Sequence, residues 1–315
     1  MPTDEFYNMK IAVIGATGFV GSHVVNELMS AGHDVSVLVR PGSEAKLPRT
    51  DIWRTTPGDL ADQSALAKTL EDCDGVVYSV GLLREFPRKG ITFENAQYEG
   101  VVNTVAAAKQ CGTRRFVLIS ANGVRIPGTR YQETKLRAEQ HLMASGLQAT
   151  VLRPSIIFGD PQGRMEFATQ LYRDMVAPPI PAVGFFKGLS PARGQVLMSP
   201  AWIGDVAAAV REAFNQETTV GKTYALGGPE VLSWTEMIRR IAAVAGKKKI
   251  ILPMPIGAMK LAATLFDWLP FFPVTRDQLT MLAEDNTADP AELELLAGRS
   301  PAAFDASKLA YLSNE

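Results

Sequence analysis

"IAVIGATGFVGSHVVNEL", residues 11–28, joins an unbroken apolar run to glycines at positions 15, 18 and 21. The apolar run has the length and the β-branched content of a buried strand. Beyond the glycines, apolar residues recur at helical spacing along one face: Val20, Val24, Val25 and Leu28. The stretch therefore predicts a strand, a glycine-rich turn and a helix in direct succession.

Each glycine of this turn has its own predicted role. Gly15 allows the tight turn, Gly18 lets the backbone approach a pyrophosphate, and Gly21 permits close packing of the helix on the strand. The helix start also offers unpaired N–H groups and a partial positive charge to an anion. The alternative is a glycine-rich turn retained only for packing. That alternative does not explain why the glycines are spaced three residues apart. The predicted dinucleotide-binding residues here are Gly15, Thr17, Gly18, Phe19, Val20 and Gly21.

The rest of the chain extends this pattern into a fold. Apolar runs of strand length recur at 10–14, 35–39, 75–80, 115–119 and 149–152, separated by stretches of helical periodicity such as 19–31 and 98–109. This alternation predicts an α/β protein with a doubly wound parallel sheet of the Rossmann type.

The alternation stops after Arg153, and this divides the chain. We expect a dinucleotide-binding domain over 9–153, completed by returning segments at about 195–228. Residues 154–194 and 229–315 would then form a smaller, mostly helical lobe for a substrate or partner. Within that lobe, SWTE at 233–236 predicts a capped helix start.

Composition excludes several function classes. The chain has 32 Lys and Arg against 33 Asp and Glu, so its charge of −1 does not favour nucleic acid. Two cysteines and no Cys/His cluster indicate a reducing compartment and no metal site. The polar N-terminus lacks a secretory pattern, which favours a cytoplasmic protein.

The apolar stretch 250–274 is the one candidate for contact with a membrane. It contains Lys260, Asp267 and four prolines, which argues against a spanning helix. We expect a lid or lobe helix there. Contact with a membrane surface or a partner is the alternative.

The second predicted strand, DVSVLVR, ends in Arg40, nineteen residues beyond Gly21. An acidic residue at this position usually binds the ribose hydroxyls of NAD, whereas a guanidinium accommodates a 2′-phosphate. The sequence therefore favours NADP(H) over NAD(H). A solvated strand-end cation, or stacking of Arg40 on the adenine, keeps NAD(H) open.

Together these motifs resemble the short-chain dehydrogenase/reductase superfamily in its extended and atypical branches. PGDLAD at 57–62 resembles its adenine-contacting motif and implies that Asp59 and Leu60 bind the cofactor. YSVGLL at 78–83 implicates Ser79, Val80 and Gly81 beside the ribose. LRPSIIFG at 152–159 is similar to the segment that passes the nicotinamide, which implicates Pro154 and Ser155.

A narrower resemblance covers nearly the whole chain. YQETKLRAE, LRPSIIFGD and above all TRDQL…DN at 275–286 resemble the accessory nucleotide-binding subunit of mitochondrial complex I and its bacterial relatives. This resemblance implies an NAD(P)-binding protein. It also implies an accessory or assembly role, with peripheral association at the inner face of a membrane that holds a quinone oxidoreductase.

YQETK at 131–135 carries the candidate chemistry. Tyr131 and Lys135 lie four residues apart and share one helix face. The resemblance implies that Lys135 binds the cofactor ribose and lowers the pKa of Tyr131, which exchanges a proton with an unidentified carbonyl or hydroxyl substrate. Ser120, at the end of the fifth strand, is a further cofactor-site residue. In the alternative, Lys135 binds the cofactor while Tyr131 contributes only packing or a contact with the ribose, and the protein is not an enzyme.

Overall fold

The structure is a computed structural model that describes residues 8–82, 84–259 and 276–314, and the chain forms two compact units. The first unit runs to Ile126 and also contains Gln132–Arg153 and Ala207–Tyr224. The second contains Pro127–Tyr131, Pro154–Val206 and the described residues from Ala225 onward. Residues 1–7, Leu83 and residues 260–275 lie outside the described residues. They belong to the polar N-terminus, to the YSVGLL segment and to the apolar stretch 250–274 with the start of TRDQL.

The strands of the described residues are β1 (Lys10–Ile14), β2 (Asp34–Val39), β3 (Arg54–Pro57), β4 (Gly75–Tyr78), β5 (Arg115–Ile119), β6 (Gln148–Pro154), β7 (Ile157–Phe158), β8 (Ala182–Phe186), β9 (Leu197–Met198), β10 (Ala201–Trp202), β11 (Lys222–Leu226), β12 (Leu232–Ser233) and β13 (Ile251–Pro255). The α-helices are α1 (Phe19–Ser30), α2 (Gln63–Leu70), α3 (Gly100–Cys111), α4 (Arg130–Met143), α5 (Phe167–Leu171), α6 (Ile203–Asn215), α7 (Trp234–Val244), α8 (Arg276–Leu282), α9 (Pro290–Ala297) and α10 (Ala306–Leu309). Two π-helical segments lie at Glu94–Glu99 and Tyr172–Val176.

A seven-stranded sheet has the order β11-β6-β5-β4-β1-β2-β3. The five pairs from β6 to β3 are parallel, which confirms the predicted doubly wound fold. The chain order reverses on either side of β1, whose neighbours are β2 and β4. In such sheets the ligand crevice lies at this reversal, outside the carboxyl ends of the strands. The fold therefore directs attention to the residues that follow β1, β2 and β4.

The first unit has a core of aliphatic side chains from the sheet and its helices. Ile14, Leu66, Val76 and Phe116 are at most 1% exposed and belong to one cluster. The central strands β1, β4 and β5 are mostly apolar because the middle of a parallel sheet with helices on both faces has no solvated face. This burial fixes the carboxyl edge of the sheet and so positions the candidate site.

The second unit is assembled around short strand pairs and α7. β7 pairs with β10, β8 with β13, and β9 with β12. Ser233 caps α7 as predicted, since its Oγ accepts a hydrogen bond from the Glu236 N–H at 3.1 Å. The expected lid or lobe helix over 250–274 is wrong for residues 251–255, whereas residues 256–259 are helical. Residues 251–255 form a strand because their backbone pairs with β8, and the centre of the stretch lies outside the described residues.

Candidate functional site

The turn after β1 requires glycine at its first position. Gly15 has φ +99°, a left-handed conformation that residues with a Cβ rarely adopt. A Cβ there would also lie 2.8 Å from the Ser79 Oγ. The Gly18 N–H donates to the Gly15 carbonyl at 3.0 Å and closes the turn.

Gly21 lies in the first turn of α1 and allows the helix to approach this backbone. A Cβ on Gly21 would overlap the Gly15 carbonyl and lie 2.8 Å from the Ser79 Oγ. Gly18 meets a milder restriction, since its Cβ would lie 3.3 Å from the Gly15 oxygen. The fold itself therefore requires glycine at positions 15 and 21. At position 18, steric contact with the protein is a weaker reason for glycine.

The start of α1 suits an anion. Gly18 is the N-cap and offers no side-chain acceptor, and the first turn contains no acidic residue. The N–H groups of Phe19, Val20 and Gly21 have no acceptor within a helix that begins here. Together with the helix dipole, they form a positive site at the carboxyl edge of β1. Gly18 is exposed and Thr17 half-buried beside it, so the backbone is accessible to a diphosphate.

Arg40 follows β2 at the same edge of the sheet. Ile14 of β1 pairs with Leu38 of β2, so Arg40 extends from the sheet beside the glycine turn. Its side chain is exposed, and none of the described carboxylates forms an ion pair with it. The guanidinium is therefore available to a phosphate.

Asp59 and Leu60 follow β3, the next strand. The Asp59 Oδ1 accepts from the Ala61 N–H at 3.2 Å, and Asp59 is exposed. The Leu60 carbonyl accepts from the Asn103 side-chain amide at 2.9 Å, while the Leu60 side chain packs against the core. Asn103 thus fixes the backbone beside the expected adenine-binding position.

The segment after β4 is joined directly to the turn. Both the N–H and the hydroxyl of Ser79 donate to the Ile14 carbonyl, at 2.9 and 3.0 Å. Val80 packs against the core of the first unit. A Cβ on Gly81 would meet no atom of the described residues within 4 Å, so contacts within that part of the protein do not explain this glycine. A ligand that passes close to Gly81 would explain it.

Lys135 and Ser120 both lie at the carboxyl end of β5. The Lys135 Nζ donates to the Ile119 carbonyl at 3.3 Å, and Lys135 is only 6% exposed. Burial lowers the pKa of Lys135 to about 8. The neighbouring Ser120 hydroxyl is buried without a hydrogen-bond partner among the described residues. A buried hydroxyl of this kind is costly unless a ligand or water satisfies it.

Glu139 acts electrostatically on Lys135 and is itself paired with Arg153. Neither residue was predicted from the sequence as part of the site. Glu139 lies one helical turn after Lys135 on α4 and is 3% exposed. The Arg153 guanidinium donates to both of its carboxylate oxygens, at 3.0 Å from Nε and 2.5 Å from Nη2. The Glu139 carboxylate opposes the effect of burial on the pKa of Lys135. The four-residue spacing between Lys135 and Glu139 was the available signal.

Tyr131, Pro154 and Ser155 belong to the second unit, unlike the other predicted site residues. Tyr131 lies on α4, and burial raises its pKa above the ordinary value rather than lowering it as expected. Pro154 is buried at the end of β6. Ser155 is also buried, and its hydroxyl donates to the Ser199 carbonyl. This hydrogen bond joins the segment after β6 to the backbone at Ser199.

Residues 15–175, just over half of the chain, match a family model described as NAD(P)H-binding. The chain belongs to this NAD(P)H-binding family. The match begins at the first glycine of the turn and includes Arg40, Ser120 and Lys135. Binding of an NAD(P) dinucleotide is thereby established as the common property of the family.

Two curated relatives illustrate the range of this family. The chain is 28% identical over 284 residues to the chloroplastic divinyl chlorophyllide a 8-vinyl-reductase of Cucumis sativus, covering 85% of this chain and 65% of that protein. It is 26% identical over 276 residues to the mitochondrial NADH dehydrogenase (ubiquinone) 1 alpha subcomplex subunit 9 of Mus musculus, covering 85% and 70%. The chain thus spans about two thirds of the length of each relative. The second match confirms the predicted resemblance to a complex I subunit.

The fold also matches a solved structure over nearly its whole length. The NADPH-dependent quinone oxidoreductase of Escherichia coli, complexed with NADPH, superposes with a TM-score of 0.72 at 19% identity, covering 96% of this chain and 99% of that one. In the described parts of the present chain, no helix combines the length and the apolar character that crossing a bilayer requires.

Proposed function

We propose that this protein is an NADP(H)-dependent oxidoreductase of the short-chain dehydrogenase/reductase type, or an epimerase or dehydratase that retains its cofactor. The observation that carries this proposal is Lys135, a buried ammonium at the carboxyl end of β5 with Tyr131 one turn earlier on α4. Burying a cation is costly, so its presence at this edge of the sheet favours a functional role.

The positions of the residues support the binding roles that we propose. The N–H groups at the start of α1 would hold the diphosphate, and Arg40 would pair with a 2′-phosphate. Asp59 and Leu60 would lie at the adenine, and Ser79 to Gly81 at the ribose. We assign the dinucleotide site to the domain expected from the sequence, which comprises residues 9–153 and returning segments at about 195–228. The 154–194 and 229–315 lobe is assigned to the substrate.

A bound nicotinamide supplies or accepts hydride. Tyr131 is assigned the matching proton transfer, donated to a carbonyl oxygen in reduction or taken from a hydroxyl in oxidation. The free tyrosine is protonated at neutral pH and so holds the proton to be donated, although burial raises its pKa and makes it a weaker acid. Lys135 would hold the ribose, and its positive charge would favour the phenolate that remains after proton donation.

Substitution of Tyr131 tests this proposal. Purified protein is incubated with NADPH and a panel of aldehydes, ketones and quinones, and loss of nicotinamide absorbance is followed. We expect turnover in the wild type, and a loss of at least roughly a hundredfold in Tyr131→Phe with NADPH affinity retained. Equal turnover in both proteins would remove Tyr131 from the mechanism.

The similarity to the mouse NADH dehydrogenase subunit favours a second candidate. In this alternative the protein is a non-catalytic NADP(H)-binding accessory or assembly subunit of a membrane quinone oxidoreductase, cytoplasmic and peripheral to the inner face of the membrane. Co-purification of the respiratory complex with the tagged chain tests it. Tyr131→Phe should then leave respiratory activity in cells unchanged, and a chain that brings down no complex would contradict this candidate.

A further inference from the structure

Two segments of the second unit form a basic and apolar surface far along the chain from the glycine turn. Residues 176–181 and 247–250 line a surface cavity of about 330 Å³. They are joined where β8 and β13 begin, since the Ala182 N–H donates to the Ile250 carbonyl at 2.8 Å. The Lys249 Nζ donates to the carbonyls of Val176, at 3.2 Å, and Pro178. We call residues 176–181 with 247–250 the lysine–isoleucine surface.

The positive charge of this surface is not neutralised. Lys247, Lys248 and Lys249 are consecutive, and no described carboxylate forms an ion pair with them. Their known acceptors are neutral: the Lys247 Nζ donates to the Tyr172 hydroxyl at 3.0 Å, and Lys249 donates to carbonyls. Such bonds orient the ammonium groups but leave three full charges. The surface therefore attracts anions.

Apolar side chains are exposed beside these charges. Ile180 is 66% exposed and Ile250 is 70% exposed, and both line the cavity. Leu252, 53% exposed, lies two residues after Ile250 along the same segment, at the spacing that returns to the same face of a strand. Prolines at 178, 179 and 181 restrict the backbone on both sides of Ile180. The isoleucine is thus presented by a stiff segment.

We propose that the lysine–isoleucine surface docks on a membrane that contains anionic lipids. Clustered lysines are attracted to anionic headgroups, and aliphatic side chains beside them can enter the boundary between headgroups and acyl chains. A free phosphate would use the lysines but leave the isoleucines in water. An acidic protein would likewise not account for two exposed isoleucines on a proline-restricted segment. This docking requires neither catalysis nor the NADP(H) preference.

Flotation of the full chain with vesicles tests the proposal. Vesicles of phosphatidylcholine alone are compared with vesicles that also contain phosphatidylglycerol, at low and high salt. We expect binding to the anionic vesicles, weakened by salt and by the double variant Lys247→Gln/Lys248→Gln by about fivefold per charge removed. Ile180→Ser/Ile250→Ser should also weaken it. Lys109→Gln and Leu295→Ser, at exposed positions elsewhere, should bind as the wild type does.

Three results would overturn the docking proposal: no binding to anionic vesicles, equal binding to neutral vesicles, or variants that bind as well as the controls. Capture by an acidic protein with no vesicle binding would assign the surface to a different partner. Dinucleotide affinity is measured on the same proteins. Variants that retain it are folded, and its absence in the wild type would contradict the proposed function while leaving the vesicle result interpretable.

Discussion

At the scale of single residues, the glycines of the site differ in whether the fold or a ligand accounts for the missing side chain. Gly15 and Gly21 contact protein atoms so closely that no Cβ fits. A Cβ on Gly81 would meet no described atom within 4 Å, and Gly81 does not have a left-handed backbone. The sequence motif could not distinguish these cases, because the distinction depends on what lies opposite each glycine.

Gly81→Ala should therefore leave stability nearly unchanged and weaken dinucleotide binding. The free energy of unfolding is expected to change by no more than about 1 kcal/mol, because no protein atom is displaced. The affinity for NADPH should fall by roughly tenfold if the ribose passes this position, equivalent to about 1.4 kcal/mol. Gly257→Ala is the control, since a Cβ there would also lie more than 4 Å from every atom in the part of the chain that the structure describes. Unchanged affinity in Gly81→Ala would move the ribose elsewhere.

Arg40 tests the choice of cofactor. Hydrogen bonds to charged groups contribute about 1.5–3 kcal/mol, so Arg40→Ala should weaken NADPH roughly ten- to hundredfold. NADH, which lacks the 2′-phosphate, should be affected far less. Calorimetric titration of both nucleotides measures the ratio, with the exposed Arg114 at the opposite edge of the sheet as the control, Arg114→Ala. Equal losses for the two nucleotides would indicate that Arg40 stacks on the adenine.

Lys135 makes binding depend on pH. Its pKa of about 8 means that the free protein loses this charge as pH rises through that value. Affinity for NADPH should then fall by up to about tenfold per pH unit, because the neutral amine is a weaker ribose ligand. In Lys135→Met the affinity should be lower and flat over the same range. A wild-type profile as flat as that of the variant would contradict this role.

The same group affects stability with the opposite sign. Between about 8 and the ordinary value of 10.5, the unfolded chain holds the Lys135 proton and the folded chain does not. The unfolded state therefore binds more protons, and this group makes the free energy of unfolding rise with pH in that window. Urea unfolding without ligand should show the rise in the wild type and its absence in Lys135→Met.

At the scale of secondary-structure elements, the sequence predicted those strands and that helix cap which depend on residues close together in the chain. The apolar runs of β1, β2, β4, β5 and β6 and the cap of α7 all occur where the sequence places them. β3, with the sequence RTTP, has no apolar run and was missed. It is a strand because its backbone pairs with β2. The sequence assigned β13 to a helix. It is a strand because it pairs with β8, which lies some seventy residues earlier and cannot be identified from local sequence.

Asp205 shows how a distant segment changes the role of a residue. Asp205 lies in the first turn of α6, is 1% exposed and binds the C-terminal segment. Its Oδ1 accepts from the Arg299 Nε at 2.9 Å and its Oδ2 from the Ala302 N–H at 2.7 Å. The partners are nearly a hundred residues away, and no local pattern indicates them.

Asp205→Ala should lower the free energy of unfolding by about 2 kcal/mol. It removes charge-assisted hydrogen bonds and leaves the Ala302 N–H unpaired, while the half-exposed Arg299 can return to solvent. Urea denaturation measures the change, and Asp174→Ala at an exposed position should stay within about 0.5 kcal/mol of the wild type. A variant as stable as this control would mean that Asp205 does not anchor the segment.

At the scale of the whole molecule, a Rossmann-type unit is combined with a second unit whose chemistry differs. The first presents a helix start, Arg40 and Lys135 at the carboxyl edge of one sheet. The second presents lysines and exposed isoleucines. Fold and cofactor class followed from the sequence because glycine spacing is a local signal. The lysine–isoleucine surface did not, because it depends on the exposure of side chains from two distant segments.

Calorimetric titration of the purified wild-type protein with NADPH and with NADH tests most directly whether the start of α1 and Arg40 together form an NADP(H) site. We expect a single site that binds NADPH at least tenfold more tightly than NADH, with thermal stabilisation that grows with nucleotide concentration. Absence of heat and of thermal stabilisation with either nucleotide, or tighter binding of NADH, would contradict it.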